Sequence, residues 1–255
     1  MAIDQNLFRV DAWIVALAFF LAMMAAWRLG WRSGQSASDG SQDSSLKFTD
    51  ASMAILGLLL AFTFAMSLGR HDQRRLMLVG ESNALGDFYT CASLLNDPHR
   101  TELQTTIRTY AEEQLSMLAR YVSIEEQRLI EQRNTAACNR MTVIVAEAIA
   151  NGTPIAVPLT NTLNEVTSAT ASRLAAYDEV LPWSITVLLL LSAIVPMFLM
   201  GRLQAVSGKR RVSSILFFVV LVSLVIFVTM DLCQPRRGLI RVNRGTLERV
   251  IASMK

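Results

Sequence analysis

The chain has 255 residues, of which 52% are apolar and only 18% charged, and its formal net charge is +3. That composition excludes a wholly soluble domain, and the mixing of basic with acidic residues excludes a nucleic-acid-binding stripe. Cys91, Cys138 and Cys233 are odd in number, far apart and without a C-x-x-C, which argues against a disulfide framework or zinc site and reads them as small core residues or spare thiols.

Four mostly apolar windows, 11 to 31, 50 to 69, 182 to 203 and 212 to 231, are long enough to cross a bilayer. Asp4 and Asp11 precede the first, Trp27 and Trp31 follow it, and no small-residue cleavage pattern appears, so it reads as a retained anchor. Trp13, Trp27, Trp31 and Trp183 all sit near span ends, as interfacial belts require. The expected fold is all-α, with four transmembrane helices in two hairpins and a helical extramembrane domain between the second and third spans. Its parts are hairpin one at 1 to 69, the domain at 70 to 181, hairpin two at 182 to 231 and a basic tail at 232 to 255.

Within the first hairpin, 33 to 48 is expected to be a flexible loop, since "SGQSASDGSQDSS" has too little apolar surface to offset the entropy of ordering. Three helices are predicted in the domain. One covers about 72 to 95 and stops at "NDP", and a second runs from Pro98 toward Ala150, with Leu103, Ile107, Ala111, Leu115, Leu118 and Val122 on one side. The third carries Leu159, Leu163, Val166, Thr170, Leu174, Tyr177 and Leu181 at steps of three and four, a stripe that needs a partner helix. Basic residues near the membrane are nearly balanced between the two sides. The unpaired thiols and the basic tail favour a cytoplasmic domain and termini.

Catalytic machinery is not expected. The chain has two histidines, no H-E-x-x-H, no G-x-S-x-G and no phosphate-binding loop, and Glu112–Glu113 and Glu125–Glu126 read as solvated helix faces. No cofactor or metal is implied.

The second span carries the informative pattern. Ser52, Leu56, Leu59, Thr63, Ser67 and Arg70 fall on one helical face, a line of hydroxyls leading to a cation, as a pore lining requires. Gly57, Ala61 and Ala65 fall on the opposite face, a small-xxx-small run that lets another helix approach closely. The plainer reading has the hydroxyls bonding their own helix carbonyls and Arg70 reaching the headgroups. Charge follows at once in Arg74, Arg75, Glu81 and Asn83. Asp231, Arg236 and Arg237 close the fourth span, and the two groups are expected to form a juxtamembrane collar.

At these stretches the chain resembles a bacterial and plastid membrane family of unknown function known for its bestrophin-like domain. The residues that carry the resemblance are "LLLAFTFAMS", the pair Arg74 and Arg75, "ESNALG" at 81 to 86 and "DLCQPRRG" at 231 to 238. Cys233 stands where that family usually has a second aspartate, and "DFYTCAS" departs from its commoner pattern. Bestrophins proper are four-span, pentameric anion channels whose second span lines the pore. The resemblance therefore implies a multi-pass protein of the bacterial inner membrane that conducts inorganic ions as a homo-oligomer, with the lipid bilayer as its other partner. The competing expectation is a non-conducting scaffold or sensor whose helical domain docks a partner protein.

Overall fold

The computed structural model describes residues 11–35, 42–119, 124–178, 182–208, 211–234, 239–240 and 242–254. Among them the protein is entirely helical, in the order α1 Ala12–Gly34, α2 Gln42–Ala92, α3 His99–Ala119, α4 Ile124–Ala150, α5 Ala156–Asp178, α6 Trp183–Val206, α7 Val212–Leu232 and α8 Gly245–Ser253. The chain divides into two compact units, one made of Met1–Arg70 with Val180–Ile240 and the other of His71–Glu179 with Arg241–Lys255.

The first unit holds the apolar windows, and four of its helices are long and apolar enough to cross a membrane. On α1 the buried residues recur every three or four positions, at Ala12, Ala16, Phe19, Met23, Ala26, Trp27, Gly30 and Gly34. This face packs on α6 and α7, and small residues decide how closely. A Cβ at Gly30 would lie 1.9 Å from the Phe198 carbonyl oxygen, and one at Gly201 would lie 2.1 Å from that of Trp27, so the α1 and α6 backbones touch there. Ile215, Val219, Val222, Ile226 and Met230 complete the core from α7.

The second unit is built from amphipathic helices around one apolar core. Leu78, Leu85 and Phe88 come from α2, Leu103, Ile107 and Tyr110 from α3, Met141 and Ile144 from α4, and Leu159, Leu163 and Val166 from α5. Leu247 of α8 and Met254 enter the same core, and Arg108 Nη1 donates to the Met254 carbonyl at 3.1 Å.

Three sequence expectations need correction. Residues 42 to 48, expected in a loop, are helical, and the helix beginning at Gln42 continues without a break to Ala92, so the predicted helix at 72 to 95 is the end of α2. Short polar residues suit the first turn of a helix as well as a linker, which is why composition alone misplaced the boundary. The single helix predicted from Pro98 to Ala150 is two, α3 and α4, paired with each other. The sequence held the signal, since Ser123 followed three positions later by Glu126 has the form of a capping box. Finally, Trp27 is not a belt residue. It is buried and donates its indole Nε1–H to Gln204 Oε1 at 3.3 Å.

Candidate functional site

The polar line on the second span points into its own unit. Leu56, Thr63 and Ser67 are buried, Ser52, Leu59 and Arg70 are half-buried, and the hydroxyls donate to carbonyls one turn back. Ser52 Oγ reaches the Phe48 oxygen at 2.8 Å, Thr63 Oγ1 that of Leu59 at 2.7 Å and Ser67 Oγ that of Thr63 at 2.9 Å. Ser67 Oγ also lies 3.2 Å from Cys233 Sγ, the position at which the bestrophin-like pattern usually has aspartate. A weakly polar sulfur suits a hydroxyl in a packed interior. Gly57, Ala61 and Ala65 are exposed, and a Cβ added at Gly57 would meet nothing within 4 Å. At the end of this span the Arg70 Nη1 atom is buried and has no hydrogen-bond partner among the described residues.

The charged residues expected in one collar occupy different settings. Asp231 is buried, and its carboxylate accepts the backbone N–H groups of Leu239 and Ile240 at 2.8 and 2.9 Å, which fastens the chain just beyond the fourth span. Arg236 and Arg237 lie outside the described residues. In the second unit Arg75 and Asn83 are exposed, whereas Arg74 is buried and its Nε donates to the Ala176 carbonyl at 3.0 Å.

Glu81 is the centre of the buried polar chemistry. Its Oε2 lies 2.5 Å from Arg173 Nε and both side chains are only 2% exposed, so the two form a buried ion pair. Glu81 Oε1 accepts from Tyr110 Oη at 3.0 Å and from Thr170 Oγ1 at 2.9 Å, and those two hydroxyls are 3.0 Å from each other. Helix geometry explains the convergence, because Thr170 and Arg173 are three apart on α5 and so share a face. The network thus joins α2, α3 and α5 through one carboxylate.

Its electrostatics follow from burial. Burial first, and then the neighbouring Glu81 carboxylate, pushes the Tyr110 phenol well above its ordinary range, so it stays a hydrogen-bond donor. Burial works against the Arg173 charge, yet Glu81, Tyr110 and Tyr177 together outweigh it and hold the guanidinium protonated. The Arg173 guanidinium carbon also lies 5.9 Å from the Tyr177 ring centroid, within cation–π reach. Burial, with Glu81 again second, raises the Cys138 thiol, which makes it a poor nucleophile.

Sequence reading found Glu81 but missed Arg173 and Tyr110. Arg173 sits beside Leu174 in the apolar stripe of α5, and a charged residue there gives no periodic signal. The close-packing face of the first unit was also missed, although "GWRSG", with Gly30 and Gly34 four apart, carries its pattern.

Four membrane-length helices, one with a bare small-residue face, together with a helical unit pinned by a buried ion pair, define a helical membrane protein. The profile of the Bestrophin-like domain matches residues 14–247. The chain belongs to the Bestrophin-like family. Neither the curated proteins nor the solved structures include a match to it.

Proposed function

We propose that the chain is one subunit of a homo-oligomeric, anion-preferring ion channel of the bacterial inner membrane, with the second span at the pore. In this reading the spans form two hairpins, and the helical domain inserted between them lies in the cytoplasm with both termini. The observation that carries it is the uneven covering of the spans. Only 17% of the apolar window in α2 is buried by the chain itself, against 28 to 33% for the other three. A helix so poorly covered has surface to spare for neighbouring subunits and for a path between them.

Leu56, Thr63 and Ser67 then serve packing inside the subunit. The path runs along the barer surface, with Ser52 and Leu59 at its edge and Arg70 at its mouth. A guanidinium repeated around a symmetric ring raises the local anion concentration, and the apolar stretch beside it forms a constriction that conducts only when wetted. Purified protein in a planar bilayer tests this. Unitary currents with anion preference are expected, and Arg70→Gln should move the reversal potential toward the non-selective value. An intact oligomer that passes no current would exclude a channel and favour the scaffold.

A further inference from the structure

A cavity of about 320 Å³ opens in the first unit where α6 ends and α7 begins, beside the start of α2. Leu46, Met200 and Leu203 give it an apolar wall that continues onto exposed apolar surface at Leu46, which is 48% exposed. Its polar wall includes two opposite charges, Asp50 and Arg211, and neither makes an ion pair among the described residues. Two opposite charges around one cavity, with no ion pair among the described residues, are complementary to a zwitterion, which satisfies both.

Gln204 sharpens the chemistry. The Trp27 indole is a donor only, so its bond to Gln204 fixes the amide oxygen toward the tryptophan and leaves the amide NH₂ to donate elsewhere. Gln204 lines the cavity, so this donor joins the Arg211 guanidinium as a second group suited to a phosphate oxygen. Asp50 in turn suits an ammonium group.

We propose that this cavity holds the headgroup of an aminophospholipid, with its phosphate on Arg211 and Gln204, its primary amine on Asp50 and an acyl chain along Leu46, Met200 and Leu203. Phosphate and amine on a short linker also occur in soluble molecules. The apolar wall, running onto the exposed side chain of Leu46, favours the lipid. The proposal is independent of ion conduction.

Native mass spectrometry and melting of the full chain in detergent test it, with phosphatidylethanolamine, phosphatidylglycerol and soluble phosphoethanolamine added in parallel. Phosphatidylethanolamine should be retained several-fold more than phosphatidylglycerol and should raise the melting temperature, whereas phosphoethanolamine should do neither. Asp50→Asn should abolish the preference between the two lipids, and Arg211→Gln should weaken retention of both. Equal retention of the two lipids by the wild-type chain, or a preference that survives Asp50→Asn, overturns the site. Stabilisation by phosphoethanolamine equal to that by the lipid overturns the lipid assignment in favour of a soluble ligand.

Discussion

Glu81 and Arg173 each depend on the other for a buried charge to be tolerable. Glu81→Gln removes the anion and leaves the guanidinium stranded, which should cost roughly 3 to 5 kcal/mol of domain stability. The double variant Glu81→Leu with Arg173→Met should recover much of that loss, because the desolvation cost disappears with both charges. Thermal melts followed by circular dichroism check both, and a Glu81→Gln protein as stable as wild type would show that the pair does not hold the helices together. Tyr110 adds a pH dependence. Its pKa is raised in the fold above the ordinary 10.0, so the stabilisation is fully present below pH 10.0 and is lost as pH climbs toward the folded value. Melting temperature should therefore fall above pH 10.0, and Tyr110→Phe, less stable at neutral pH for want of one hydrogen bond, should show a shallower alkaline fall. Of these residues only Glu81 was legible in the sequence, through its place after the second span. Tyr110 and Arg173 become polar partners only once α3 and α5 have packed, and packing partners are a tertiary fact.

Helix by helix, two glycine-bearing surfaces have opposite meanings. At Gly201 a single methyl group would collide with the Trp27 carbonyl, so Gly201→Ala should force α6 from α1 and destabilise the membrane unit by about 1 to 3 kcal/mol or more. Gly57→Ala meets nothing within its own subunit and should leave the subunit's fold unchanged or slightly more stable, since alanine is the better helix former. Parallel melts in detergent decide, and equal effects at the two positions would contradict the packing described. The α5 stripe shows how far periodicity reaches. Leu159, Leu163, Val166 and Tyr177 are buried as the spacing predicts, Thr170 and Leu174 are half-buried, and Leu181 lies outside the described residues. Repeating apolar faces were readable because burial repeats with the helix. The α3–α4 break was easier to overlook, because apolar spacing continues across it while only the Ser123–Glu126 pattern in the sequence marks it.

At the level of the whole molecule, the oligomer proposed above would seat a second copy on the bare face of α2. Gly57→Leu or Ala61→Leu keeps each subunit intact, because neither position is covered by its own chain, and should shift the detergent-solubilised particle to a smaller size on gel filtration. Unchanged elution of both variants would mean that this face looks at lipid. The membrane class, the four apolar windows and the family motifs were all legible from sequence, because each is written in contiguous residues.

The Trp27–Gln204 bond joins positions 177 residues apart, and the glycine contacts beside it span a similar distance. At ribosomal rates of about 5 to 20 residues per second, α1 waits roughly 9 to 35 s in the bilayer before α6 has been made. During that interval its small-residue face has only lipid or the insertion machinery against it. A fault in α6 such as Gly201→Ala is thus a fault of biogenesis as well as of equilibrium: the nascent chain waits for a partner that arrives unable to dock, and the loss registers as degraded newly made protein before any mature protein melts.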